Sequence, residues 1–145
     1  MASLSPQVDF RRRFPDGKLR IGYYASDTQV NRECLLEFLE CRAASAYLSS
    51  NSMVILAGGF CKSVSGQFDE NKLRELNVRI MGRVDDLTDL FRDIDVLVNP
   101  DKGGTGLKIK SLEPMYFGLP VICTRAGGGG LESKAGFMRL RISKA

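Results

Sequence analysis

The stretch that decides the fold runs from Val96-Leu97-Val98-Asn99-Pro100 through Asp101-Lys102-Gly103-Gly104-Thr105-Gly106 and Leu107 to Phe117, then Gly118-Leu119-Pro120 and Val121-Ile122-Cys123. Val96 to Asn99 is an apolar run of strand length, and the glycine-rich segment after it is a loop. Ile109, Leu112, Met115 and Tyr116 then recur at helical spacing until Gly118-Leu119-Pro120 stops them. Val121 to Cys123 is a second apolar run. A strand, a crossover helix and a second strand form a right-handed unit whose strands lie parallel.

The same alternation extends upstream. Leu19 to Ala25, Met53 to Ala57 and Val78 to Met81 are further strand-length runs. A long helix is expected to open near Asn31, with Leu35, Leu36, Leu39, Ala43, Ala46 and Tyr47 on its apolar face, and to close at Ser49 to Ser52. Phe68 to Leu76 reads as a short helix. Asp85-Asp86 precedes another, built on Leu87, Leu90, Phe91 and Ile94, whose acidic first turn suits the positive end of the helix dipole. The expected architecture is α/β: a Rossmann-like three-layer sandwich, one domain, with a parallel sheet of about five strands. Residues 1–18 read as a leader or linker, 19–134 as the domain and 135–145 as a tail.

Composition bounds the chemistry. The chain has 145 residues, which suits one hydrophobic core and requires no disulfide or metal framework for stability. It has no histidine, so Ser-His-Asp and Cys-His catalysis, histidine zinc sites and histidine pH switches are excluded. Net charge is +4 with the bases dispersed, so nucleic-acid binding is only one option and phosphate on a small molecule serves equally well. The four cysteines contain no CxxC, and Cys34 and Cys41 stand too far apart on a helix to be bridged. Reduced cysteines in a cytoplasmic protein are expected. No apolar run reaches the ~18 residues of a membrane span.

In an open parallel sheet, ligands bind beyond the carboxyl ends of the strands. Gly58-Gly59, Gly82-Arg83, Asp101 to Gly106 and Ala126 to Gly130 all fall at that edge. Gly103, Gly104, Thr105 and Gly106 open a helix and so have the ingredients of an anion site, with Lys108 and Lys110 one turn in, able to hold a diphosphate. A tight turn without a ligand is the alternative reading. There is no GxxxxGK[ST], and no GxGxxG after the first strand. Glu113 either reaches the hydroxyls of a bound ribose or is an exposed helix glutamate, and Arg83 either meets a base or is solvated. No residue stands out as catalytic, and no metal or cofactor is expected.

Val78 to Gly82, Asp95 to Pro100, Gly103 to Glu113, Gly118 to Ile122 and Gly127 to Leu131 together resemble the carboxy-terminal domain of group 1 glycosyltransferases of the GT-B fold. The resemblance spans about Leu19 to Lys134. It implies that a nucleotide-diphosphate sugar is the donor substrate, with Glu113 on the ribose hydroxyls, Gly103 to Gly106 facing sugar and phosphates, and backbone near Arg83 on the base. A nucleotide sugar and no nucleic acid is therefore the expected partner. It also implies an amino-terminal domain outside this chain that holds the acceptor, and peripheral membrane association of the full-length protein is compatible with it. The chain is therefore expected to be incomplete at both ends, and weakly active or inactive alone. Thr105 departs from the family pattern, standing where many members carry a glutamate eight residues before Glu113. The Arg and Lys pair that many members place on the diphosphate after the first strand is not evident in Ser26 to Arg32. Pro114 predicts a kinked or late-starting helix. A non-catalytic nucleotide-binding or interaction module of the same fold is the rival reading, and a flavodoxin-like domain a third.

Overall fold

The five expected apolar runs form parallel strands, and a sixth strand joins them. The computed structural model describes residues 14–102, 109–126 and 137–139. In chain order the elements are β1 (Leu19–Tyr24), α1 (Gln29–Ala43), α2 (Ala46–Asn51), β2 (Ser52–Ala57), α3 (Cys61–Gln67), α4 (Glu70–Glu75) and β3 (Val78–Gly82). They continue with α5 (Leu87–Arg92), β4 (Val96–Asn99), α6 (Ile109–Tyr116), β5 (Val121–Cys123) and β6 (Phe137–Arg139). The sheet order is β3-β2-β1-β4-β5-β6, every pair parallel, so the order reverses between β1 and β4. β6 lies in the segment read from sequence as a tail. Three residues are too few to show a strand period.

Alternating strand residues feed two cores, which makes the sandwich three-layered. On one face Ile21, Tyr23, Val54, Leu56, Val78, Val96 and Val98 meet Leu35, Phe38 and Leu39 of α1 and Val64 of α3. On the other, Ile55, Leu97, Val121 and Cys123 meet Leu90 and Phe91 of α5, with Met115 of α6 at the margin. No described helix is long and apolar enough to cross a membrane.

Local chemistry sets the helix ends. Thr28, Ser45, Asp69 and Asp86 each accept a hydrogen bond from a first-turn N–H, capping α1, α2, α4 and α5. The Ser45 cap corrects the expected single long helix. The chain breaks at Ala44 and restarts, which leaves Tyr47 exposed and turns Cys34, Leu35, Phe38, Leu39 and Arg42 inward in place of a face containing Leu36. α3 was not expected, because its sequence Cys-Lys-Ser-Val-Ser-Gly-Gln offers only Cys61 and Val64 to a core. α6 runs through Pro114 and ends within a turn of it. Its N–H groups at Gly118 and Leu119 donate to the carbonyls of Met115 and Pro114, a pattern that needs the positive φ (75°) of Gly118.

Backbone bonds tie the first three strands together at the carboxyl edge. Ala25 N–H donates to Ala57 O at 3.2 Å and Gly58 N–H to Gly82 O at 2.9 Å. Gly58 has φ +111°, and a Cβ there would lie 2.2 Å from the Ala25 carbonyl oxygen, so only glycine fits. At the amino edge, Asp95 starts β4 against β1. Arg20 N–H donates to Asp95 Oδ2 and Asp95 N–H to Arg20 O, both at 2.8 Å.

Candidate functional site

The reversal of strand order between β1 and β4 opens a crevice between the loops that follow them. Ser26 to Thr28 and the first turn of α1 form one wall; Pro100 to Lys102 and the start of α6 form the other. Lys110 joins the two. Its Nζ lies 3.4 Å from Asp101 Oδ1 and 3.4 Å from Asn31 Oδ1, with the lysine side chain 26% exposed and the aspartate 14%.

The partners of Lys110 are held from behind. Asn31 Nδ2 donates to the Ser26 carbonyl at 2.9 Å and lies 3.3 Å from Ser26 Oγ, which turns Oδ1 toward the lysine. The Asn31 carbonyl accepts from the Tyr23 hydroxyl at 3.0 Å. Tyr23 is buried edge-on to Phe60, 5.3 Å between centroids, and burial pushes its phenol well above the ordinary range, so it remains a donor. On the other wall the Thr124 hydroxyl donates to the Asp101 carbonyl, and Asn99 Nδ2 donates to Ser111 Oγ at 2.9 Å with both residues buried. The buried pair fixes the root of α6 to the end of β4.

A second charged group flanks the crevice. Asp27 pairs with Arg32 and accepts from Ser63 Oγ at 2.7 Å, linking α1 to α3. The Ser63 bond, opposed by desolvation and assisted by Arg32, lowers the Asp27 carboxyl from its ordinary value. Across the way Lys102 pairs with Glu37, and that hydrogen bond raises the lysine. Cys34 is buried beneath this wall. Burial first, and the charge of Asp101 second, raise its thiol, which makes it an inert filler.

Of the residues expected from sequence, the structure brings Lys110 into the crevice. Glu113 is solvent-exposed three residues further along α6, on the same side of the helix as Lys110. Arg83 lies elsewhere. It follows β3, which β2 and β1 separate from β4, and it lines a groove of about 550 Å³ with Met81, Val84 and residues of α5. Gly103, Gly104, Thr105, Gly106 and Lys108 fall outside the described residues, as do Gly127 to Gly130. Sequence reasoning missed Asn31 and Asp101 as partners of Lys110. Their signal was position: each stands just beyond a strand end, but pairing them requires knowing that β1 and β4 are neighbours.

Residues 25–139 match the family model described as "Glycosyl transferases group 1". The chain belongs to that glycosyltransferase family. No curated protein matches the chain. Among solved structures, the glycosyltransferase chain is similar to the C-terminal domain of LpcC, a group 1 family protein from Francisella tularensis. That match has 19% identity and a TM-score of 0.60, covering 87% of this chain and 70% of that one. It is also similar to WaaG, a glycosyltransferase involved in lipopolysaccharide biosynthesis (20% identity, TM-score 0.60, 88% and 34% covered). A third is HepE of Anabaena in complex with UDP and glucose (16% identity, TM-score 0.58, 77% and 31% covered). These likenesses bear out the Rossmann-like GT-B fold. The chain spans about a third of the length of the WaaG and HepE chains.

Proposed function

We propose that this chain is the donor-binding half of a glycosyltransferase and holds a nucleotide-diphosphate sugar in the crevice between β1 and β4. The observation that carries the reading is Lys110, a partly exposed cation at the switch point of a group 1 glycosyltransferase domain, held by Asp101 and Asn31. Its ammonium contacts the diphosphate, and Lys108 and the backbone of Gly103 to Gly106 add positive charge and N–H donors. Glu113, on the same side of α6, takes the ribose hydroxyls. The family resemblance assigns the sugar to the Gly103 to Gly106 loop, and Arg83, beyond β3, stands apart from this crevice. HepE supports the reading as a relative of the same fold whose structure holds UDP and glucose.

In the full-length protein an amino-terminal domain supplies the acceptor, and transfer leaves a nucleoside diphosphate. Cations aimed at that leaving group stabilise the charge that develops on it. The rival reading, a non-catalytic nucleotide-binding module, is favoured by one feature: Asp101 already answers the charge of Lys110.

A thermal-shift series with UDP, GDP, ADP, TDP and UDP-glucose tests the reading. Ligand at a hundred times its Kd adds about 2.7 kcal/mol to stability. A base-selective shift lost in Glu113→Ala supports a nucleotide-sugar site; a cooperative melt unmoved by every nucleotide refutes it. Turnover of UDP-sugar by a chain joined to an amino-terminal domain separates the enzyme from the binding module.

A further inference from the structure

Three residues of α1 at steps of three, Asn31, Cys34 and Glu37, each meet a residue of the chain that leads from β4 into α6. Asn31 Oδ1 lies 3.4 Å from Lys110 Nζ. The Cys34 thiol accepts the Lys102 backbone N–H, and Glu37 pairs with the Lys102 ammonium. Residues three apart share one side of a helix, so a straight α1 presents all three as one stripe. Its other polar residues near the crevice pair locally instead, Gln29 with Glu33 and Arg32 with Asp27.

The stripe is itself held in place. The Asn31 N–H donates to Thr28 Oγ1 at 3.2 Å, its carbonyl accepts from the Tyr23 hydroxyl, and its amide nitrogen donates to the Ser26 carbonyl. Its Oδ1 is the atom that crosses to α6. An ammonium has three donors, of which Asn31 and Asp101 take two and leave one for a ligand. Asn31 is neutral, so it aims the lysine without cancelling its charge, whereas Asp101 competes with an anion for it.

We propose that Asn31 and Glu37 are positioning residues, which from one side of α1 set where Lys110 and Lys102 stand when a nucleoside diphosphate binds. The inference rests on the nucleotide reading of the crevice and adds that α1, not α6 alone, places its cations. Neither residue has to touch the ligand. A long side chain that is already held loses less freedom on binding, and one such side chain is worth roughly two- to tenfold in affinity. Glu37 acts one step further back: by holding Lys102 it fixes the chain beside Asp101, the second partner of Lys110. Cys34, wholly buried between the two, marks whether that chain is in place.

Two measurements test the proposal, one with ligand and one without. Calorimetric titration of UDP, GDP, ADP and TDP into wild type, Asn31→Leu, Lys110→Ala and the double variant closes a mutant cycle. Asn31→Leu is expected to weaken the bound diphosphate roughly two- to tenfold when Lys110 is present, and to change nothing in the Lys110→Ala background. A merely structural role would weaken both backgrounds alike. The second measurement follows alkylation of each cysteine by iodoacetamide in the ligand-free full chain, read by peptide mass spectrometry. Glu37→Gln releases Lys102 and is expected to speed labelling of Cys34 about two- to fivefold, the most that an ion pair of this exposure holds. Cys61 and Cys123, also buried, should label as slowly as in wild type, and the exposed Cys41 as fast. Equal losses in the two Lys110 backgrounds, unchanged affinity in Asn31→Leu, or a Cys34 that stays slow or speeds up together with Cys61 and Cys123 would overturn the proposal. A folded wild type that binds none of the four refutes the nucleotide reading instead, and the Cys34 result then upholds or overturns the stripe by itself.

Discussion

Arg42 and Lys110 sit at opposite edges of the same sheet and handle a positive charge in opposite ways. Arg42, 3% exposed, spends its guanidinium on Ser52 Oγ, Ser52 O, Leu76 O and, at 3.5 Å, Ser49 O, with no carboxylate among these partners. It fastens the end of α1 to the start of β2 and the end of α4. Burial lowers it from its ordinary value, yet a guanidinium remains charged in any protein interior. Lys110 is accessible and makes two contacts at the long end of hydrogen-bond range, one of them to a carboxylate. The first cation is saturated by fixed backbone acceptors and belongs to the fold. The second can exchange its partner for a ligand.

The sharpest way to break the comparison is to remove each cation and look for crossed effects. Arg42→Met keeps much of the side-chain volume but removes the charged donors to Ser52 Oγ, Ser52 O and Leu76 O, of which Ser52 O keeps Asn77 Nδ2, so a loss of about 3 kcal/mol is expected in chemical denaturation. Nucleotide affinity, measured where the variant is folded, should not change. Gly58→Ala comes next, with about 2–3 kcal/mol lost because the new Cβ meets a carbonyl oxygen that the sheet holds in place. That result would place the rigidity of the crevice wall in the backbone tie beneath it.

Smaller effects sharpen the account of the crevice itself. Asp101→Asn frees Lys110 from its carboxylate, and a pair of this exposure is worth up to about 1 kcal/mol, so diphosphate affinity should rise roughly two- to fivefold by calorimetry. The smallest effect concerns Asp27. Its carboxyl is lowered by Ser63 and Arg32, so the stabilisation is complete above the ordinary carboxylate value of 3.8 and is lost as pH falls through the lower folded value. The stability difference between wild type and Asp27→Asn should therefore hold steady above about pH 5 and shrink as the pH falls below 3.8.

The strands were legible wherever apolar runs were bounded by glycine or proline, as at Val78 to Gly82 and Val96 to Pro100. α1 was legible as a helix, but its buried face was not. A pattern carried across Ser45 mixes two helices, and Arg42 inside a core contradicts the expectation that charges face water. α3 and β6 escaped because neither has enough apolar residues to show a period. For the site, Lys110 and the carboxyl edge could be read from residues 96–123. Its neighbours could not, because Asn31 lies 79 positions away in sequence and meets the lysine only through the strand order.

Calorimetric titration of UDP, GDP, ADP and TDP into wild type and Lys110→Ala, with a thermal melt of each protein, tests the central claim most directly. The account predicts a nucleoside diphosphate that binds the wild type and loses at least about tenfold in affinity on Lys110→Ala, the worth of one charge-assisted hydrogen bond. The variant's stability should fall by less than about 1 kcal/mol. Unchanged affinity in Lys110→Ala, or a folded wild type that binds none of the four, would contradict it.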